Sequence, residues 1–194
     1  MKYYFLIMAI TGTLTARCQE WKKQYDYVDQ CVCGLSVVGK GNKHGYADKD
    51  GKLVVPLVYD EAIAFSEGMA AVKQNGKWGY LDSTGNLVIA LQFSDAMSFH
   101  NDVAVASNGN LYGFIDKSGK TVIPFEFESA MGFSEDLAAA NKNGYWGYIN
   151  KSGKEVISFK YTFAGSFQEG TAKVLKESKW IIIDKSGKKV SDAE

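Results

Sequence analysis

Asn75-Gly76-Lys77-Trp78-Gly79-Tyr80-Leu81-Asp82-Ser83-Thr84-Gly85 returns, edited, along the rest of the chain. Gly45, Gly79, Gly113 and Gly147 stand 34 residues apart, and the same step lands next on Ile181. The glycines Gly51, Gly85, Gly119, Gly153 and Gly187 keep this spacing, as do Phe65, Phe99, Phe133 and Phe167 and the alanines Ala70, Ala104, Ala138 and Ala172. One period before Tyr59-Asp60 comes Tyr25-Asp26, so the repeat begins near Tyr25. From there to Glu194 the chain holds five units of 34 residues without a gap: 25–58, 59–92, 93–126, 127–160 and 161–194.

A period of 34 also suits paired-helix repeats, so the pattern inside the unit has to decide. Each unit carries three short runs parted by glycine-containing turns, in the second unit 69–74, 77–82 and 86–90. These runs are too short and too interrupted for helices and read as strands. Asn75-Gly76 between the first two predicts a type I′ hairpin turn, in which both central residues need positive φ. Gly109-Asn110 and Asn143-Gly144 take its place in later units. Asp82 to Gly85, Asp116 to Gly119 and Asp184 to Gly187, with Asn150 to Gly153 as a variant, carry the Asp-x-x-Gly signature of a type I turn.

A two-residue turn fixes the register. Val72 falls opposite Gly79, Ala70 opposite Leu81, Lys73 opposite Trp78 and Ala71 opposite Tyr80. One face is then small (Ala70, Val72, Gly79) and is expected to let another layer approach closely, while the other carries Trp78 and Tyr80. The expected fold is all-β: five three-stranded antiparallel meanders in an open, solenoid-like array, with a closed five-bladed propeller-like ring as the alternative.

Lys77-Trp78-Gly79-Tyr80-Leu81-Asp82, followed by Gly85, Val88-Ile89 and the Phe-Ser-Glu-Gly of 65–68, resembles the WG repeat of bacterial proteins. The resemblance spans 25–194. It departs at His44 and Tyr112, which replace Trp, and at Ile181, which replaces Gly. It implies a β-rich repeat architecture and no defined activity.

Residues 1–18 read as an export signal: Lys2, an apolar run over 3–10, then small and polar residues up to Cys18. The apolar run is shorter than the ~20 residues a spanning helix requires. The mature chain is therefore expected to be exported without a transmembrane segment, soluble in preference to lipidated on Cys18, and to begin near Gln19. Residues 19–24 form a leader in which Trp21 is placed to cover the edge of the first unit. Cys31 occupies the position of Phe65 and its equivalents, so it is expected as a small apolar core substitute, with Cys33, in the place of Glu67, exposed.

Lys and Arg number 22 against 22 for Asp and Glu. Without net positive charge there is no electrostatic argument for nucleic acid or anionic lipid. No nucleophile elbow, phosphate loop or His-Glu-x-x-His motif is present, so no catalytic, cofactor or metal residues are assigned. Asp48, Asp82, Asp116 and Asp184 track the turns and are expected to cap backbone groups there. Trp78, Tyr112, Trp146 and Trp180, with Tyr46, Tyr80, Phe114 and Tyr148, form a regular aromatic ladder that could stack on sugar rings of a polysaccharide. Rings that recur in every unit more simply fill the cores between units. The favoured expectation is a non-enzymatic surface for a protein partner. Its specificity would lie in loop positions that differ between units: Ile63, Met97, His100-Asn101, Met131 and Gln168.

Overall fold

The structure is a computed structural model that describes residues 20–193. The expected export signal, with Cys18, lies outside the described residues. Five antiparallel sheets follow one another, each built from four strands that are consecutive in the chain. Sheet 1 contains β1 (Tyr27–Val28), β2 (Leu35–Lys40), β3 (Lys43–Asp48) and β4 (Leu53–Tyr59). Sheet 2 contains β5 (Glu61–Ala62), β6 (Met69–Gln74), β7 (Lys77–Asp82) and β8 (Leu87–Phe93). Sheet 3 contains β9 (Asp95–Ala96), β10 (Val103–Ser107), β11 (Tyr112–Asp116) and β12 (Thr121–Phe127). Sheet 4 contains β13 (Ser129–Ala130), β14 (Leu137–Lys142), β15 (Tyr145–Asn150) and β16 (Glu155–Tyr161). Sheet 5 contains β17 (Phe163–Ala164), β18 (Thr171–Lys176), β19 (Lys179–Asp184) and β20 (Lys189–Asp192). The three-stranded meander is thus present in every unit, and a two-residue strand is added in front of it.

The register matches the hairpin reading: Val72 lies opposite Gly79, Ala70 opposite Leu81 and Lys73 opposite Trp78. Asn75 (φ 51°) and Gly76 (φ 75°) adopt the two positive angles of a type I′ turn. Where the order reverses to Gly109-Asn110, the hairpin opens into a longer loop. There Asn108 Oδ1 accepts from the N–H groups of Asn110 and Leu111, both at 3.1 Å.

The role of the motif glycine differs from the expected approach of another layer. Trp78 pairs with Phe93 but Tyr80 pairs with Ile89, so β8 carries extra residues and bulges outward around Gly79. A Cβ on Gly79 would sit 2.5 Å from the Ile89 carbonyl oxygen and 2.9 Å from that of Ala90. Gly113 and Gly147 face the backbone of their own outer strands in the same way. It is therefore the unit's own third strand that requires glycine. Sheet 5 explains its exception: Ile181 pairs with Asp192 and Ile182 with Ser191 in regular step, so no bulge crowds position 181.

Successive sheets lock large face to small face. Ala71, Trp78, Tyr80 and Ile89 of sheet 2 pack on Phe99, Ala104, Ala106 and Ile115 of sheet 3. The other junctions repeat the scheme. Each large side chain buried this way contributes about 1.5–3 kcal/mol. Among the described residues each core joins one sheet to the next and none joins the fifth to the first, so the array is open. The outward face of sheet 5 has Thr171, Lys173 and Ser191 where sheet 2 has Met69, Ala71 and Ile89. The same face keeps Trp180 and Ile182 at the positions of Trp78 and Tyr80, so it is mixed and only in part polar.

Trp21 covers the first edge as expected. A Cβ on Gly51 would lie 2.5 Å from Trp21 Cγ, whereas Gly85, Gly119, Gly153 and Gly187 lie against Val55, Ile89, Ile123 and Ile157 of the preceding sheet. Cys31 is a correction: it is exposed, as is Cys33. The phenylalanines at its equivalent positions are wedged against the preceding sheet, as Phe65 is against Tyr46 at 5.0 Å between ring centres. No described sheet precedes the first, so the position has no core to fill.

Substituting Gly147→Val is expected to cost about 3 kcal/mol, the upper end for overpacking, because the obstacle is backbone. Ile181→Val should cost only about 0.5–1.5 kcal/mol. Urea unfolding of the two variants measures the contrast, and equal losses would show that the outer strand yields.

Candidate interaction site

The recurrent polar residues are engaged in holding the sheets. Asp82 Oδ1 accepts from the N–H of Thr84 (2.9 Å) and of Asn86 (3.0 Å) and from the Thr84 hydroxyl (2.6 Å). Asp116, Asn150 and Asp184 make the same set with Ser118, Ser152 and Ser186, and Asp48 makes the two backbone bonds. The neighbouring hydroxyls first, helped by the backbone N–H groups, hold the Asp82, Asp116 and Asp184 carboxyls below their ordinary range. Among the described residues no group of three or more His, Cys, Asp or Glu could hold a metal ion. No helix there is long and apolar enough to cross a membrane.

Depressed carboxylates stabilise the fold fully above the unfolded carboxylate value of about 4. That contribution disappears as pH falls through the lower folded values. Asn150 makes the same turn without a titrating group. The combined variant Asp82→Asn, Asp116→Asn, Asp184→Asn should therefore keep its neutral-pH melting temperature within a few degrees. Below about pH 4 it should lose less stability than the parent. Thermal melts between pH 2 and pH 7 test this, and parallel pH curves would refute it.

The aromatic ladder divides. Trp78 is 6% exposed, with Lys73 Nζ 5.6 Å from its ring centre. Tyr112 is half-buried, and its hydroxyl donates to Asp95 Oδ2 at 3.0 Å. Trp146 is half-buried against Phe163 at 5.7 Å. Trp180 is 38% exposed, a departure from the expected core role, because no described sheet packs on that face. The inner rings are fully buried, and burial first of all pushes the hydroxyls of Tyr46, Tyr80 and Tyr148 well above their ordinary range. Each donates to a carbonyl of the next sheet: Tyr46 to Ile63 (2.8 Å), Tyr80 to Met97 (2.7 Å) and Tyr148 to Gly165 (2.7 Å). Acrylamide quenching should accordingly find Trp180 the accessible fluorophore and Trp78 the protected one. Trp180→Phe should remove the most quenchable emission, and the reverse order would contradict this packing.

Sequence reasoning missed the function of Phe-Ser-Glu-Gly. The Ser66 hydroxyl donates to the Phe99 carbonyl of the next sheet (2.7 Å), and Ser134 to that of Phe167 (2.6 Å). Glu67 accepts from the N–H groups of Asn101 (2.7 Å) and Asp102 (2.9 Å), with Lys117 Nζ at 3.3 Å. Glu135 accepts from Gly170 N–H (3.0 Å), with Lys185 Nζ at 3.0 Å. The backbone N–H of Asp102 chiefly lowers the Glu67 pKa, and Lys185 chiefly lowers that of Glu135. The signal was available: Glu recurs at 67, 135 and 169, and Lys recurs at 49, 117, 151 and 185.

The residues that vary between units do come together. Ile63, Met97, His100 and Gln168, with Gly132 and Ser134, line one cleft of about 660 Å³ formed by loops of sheets 2 to 5. Met131 lines the adjoining cleft of about 650 Å³, which shares Gln168 and Ser166 with the first. Met97, His100 and Gln168 are exposed, and Ile63 and Met131 half-buried. Volumes of this order suit a ligand or an inserted side-chain cluster. Asn101 lies beside this cleft and is not among its lining residues.

Against known proteins, the family model of the WG containing repeat matches residues 45–78, 78–112, 112–146 and 146–180. None of the curated proteins matches the chain. Among solved structures, Hsv2 of Kluyveromyces lactis is similar with a TM-score of 0.55 at 8% identity, over 82% of this chain and 59% of that one. A structure described as the eukaryotic initiation factor is similar with a TM-score of 0.53 at 10% identity, over 88% of this chain and 65% of that one. This chain thus spans about three fifths of their length. These likenesses are of fold alone, to β-propeller-like structures.

Proposed function

Because the chain belongs to the WG repeat family, and its recurrent residues are engaged in holding the sheets together, we propose that it is an exported, non-enzymatic binding module that docks a protein partner at the loop cleft. The observation that carries this reading is the convergence of Ile63, Met97, His100 and Gln168 on one cleft. The main-chain carbonyls of Ile63 and Met97 accept the tyrosine staples. The side chains of the four residues make none of the hydrogen bonds that staple sheet to sheet, and they differ between units as the specificity-bearing positions of a repeat array do. The cleft is lined by apolar, hydroxyl, amide and imidazole groups, without a carboxylate or lysine, which favours a segment of protein over a highly charged ligand. Export rests on the signal-like residues 1–18.

The competing reading is polysaccharide stacking on Trp78, Tyr112, Trp146 and Trp180. One ring favours it, since Trp180 is exposed. A stacking platform needs several open ring faces in line, and Trp78 is buried.

A photo-activatable amino acid at Met97 should give a discrete cross-linked adduct in the native host. The same probe at Val156, an exposed residue on the outer strand of sheet 4, should not. Equal yields from the two positions, or none from either, would count against docking at the cleft. Retention on insoluble polysaccharide that Trp180→Ala abolishes would favour the sugar reading instead.

A further inference from the structure

Three polar staples recur where sheets meet: the Tyr hydroxyl, the Ser hydroxyl and the Glu carboxylate. All three are made between sheets 2 and 3 and between sheets 4 and 5. Between sheets 3 and 4 none is available, because Phe114, His100 and Asn101 stand at the three positions. The receiving side of that junction is nevertheless intact. Glu135 (φ 50°) and Asp136 (φ 71°) form the same left-handed turn as Asn101 (φ 54°) and Asp102 (φ 64°), whose N–H groups hold the Glu67 carboxylate. Lys151 occupies the repeat position of Lys117 and Lys185, both of which pair with that carboxylate. It pairs with Asp136 at 2.9 Å, just as Lys117 also pairs with Asp102 at 2.8 Å.

We propose that the junction of sheets 3 and 4 is a carboxylate-binding site, filled by an acidic side chain of a partner protein that docks in the adjoining cleft. The ligands are the N–H groups of Glu135 and Asp136 and the Lys151 ammonium. Two copies of the same arrangement within this molecule bind a glutamate, and this identifies the chemistry the third accepts. Successive backbone N–H groups in a left-handed turn make an anion-binding concavity, and a lysine beside it adds a charge-assisted bond. The acidic side chains of the turn leave it free, since Glu135 reaches across to Gly170 and Lys185 and Asp136 is held by Lys151. The junction of sheets 1 and 2 lacks this character, because Ser83 stands at the lysine position. The site adjoins the cleft: Phe133 and Ser134, which line it, immediately precede the turn. The partner's acidic side chain restores the staple that Asn101 omits, so specificity is placed where the repeat departs from its own rule.

This inference rests on the docking reading above, and the two can fail separately. In ¹⁵N spectra of the full chain, N-acetyl-Ser-Glu-Gly-amide should move the Glu135 and Asp136 amide signals downfield, and the Gln counterpart should not. Lys151→Met should weaken that peptide at least tenfold while leaving the dispersed spectrum of a folded chain. Asn101→Glu has the φ already used by Glu67 (51°) and Glu135 (50°). It should fill the site from within, shift the same two amides without peptide, raise the melting temperature and abolish peptide binding. Unmoved amides in both the peptide titration and Asn101→Glu would overturn the site. Equal shifts from sodium acetate at the same concentration would overturn the acidic side chain as its occupant. Cross-linking from position 97 that Asn101→Glu leaves undiminished would overturn the carboxylate's part while sparing docking. Amide shifts without cross-linking would spare the cradle and overturn docking.

Discussion

The structure depends on the pressing of one sheet's aromatic face into the next sheet's face of alanine and valine. Tyr80 meets Phe99 edge-on at 4.9 Å, and Tyr148 meets Phe167 at 4.8 Å. Such approach is possible only because the receiving faces carry Ala104 and Ala106, or Ala172 and Val174. A single sheet cannot bury both of its faces, so each unit is stable only through its neighbours. The same constraint explains the ends. Trp21 replaces the aliphatic side chain that a preceding sheet supplies elsewhere, and the outer face of sheet 5 carries Thr171, Lys173 and Ser191 where others bury apolar groups.

The motif tryptophan-glycine pair has two separate physical causes. Trp78 fills the edge of the inter-sheet core. Gly79 belongs to a different requirement, the passage of the bulged third strand across the second. Bulges sharpen local twist, and here the bulge recurs with the repeat in the first four sheets. Sheet 5 separates the two causes: it keeps Trp180, drops the bulge at position 181 and with it drops the glycine.

The order of the three long strands and the register of their first hairpin were legible because they follow from local chemistry, whereas the two-residue strand ahead of them was not. Asn75-Gly76 sets the turn angles, and the turn sets every pair from Val72–Gly79 outward. Features that depend on what lies across a junction were not legible. Cys31 shares its register position with buried phenylalanines, yet it is exposed because burial there is conferred by the preceding sheet. The bulge, and the extension of β8 to Phe93, arise from pairing between strands whose sequence carries no proline or glycine warning at 89–93. Of the loop positions singled out as variable, Ile63, Met97, His100 and Gln168 meet in one cleft, and period arithmetic alone could not place them together.

Repetition also supplies an internal standard for chemistry. A backbone N–H pair in isolation says little, since unpartnered loop amides on a surface are ordinarily solvated. The same left-handed pair recurs in all five sheets, and the two that face a glutamate of the preceding sheet are closed by it with a lysine alongside, so the repeat carries its own controls. The departures at Phe114, His100 and Asn101 fall on a single junction, which also borders the cleft that gathers the variable side chains. The junction of sheets 1 and 2 also lacks the Ser and Glu staples, with Val32 and Cys33 at those positions, but it keeps the Tyr46 staple and has Ser83 in place of the lysine. The coincidence of the three departures leaves the turn of Glu135 and Asp136, with Lys151 in register, beside the cleft that gathers the variable side chains. This is the place where the proposed partner would supply the polar complement that sheet 3 withholds.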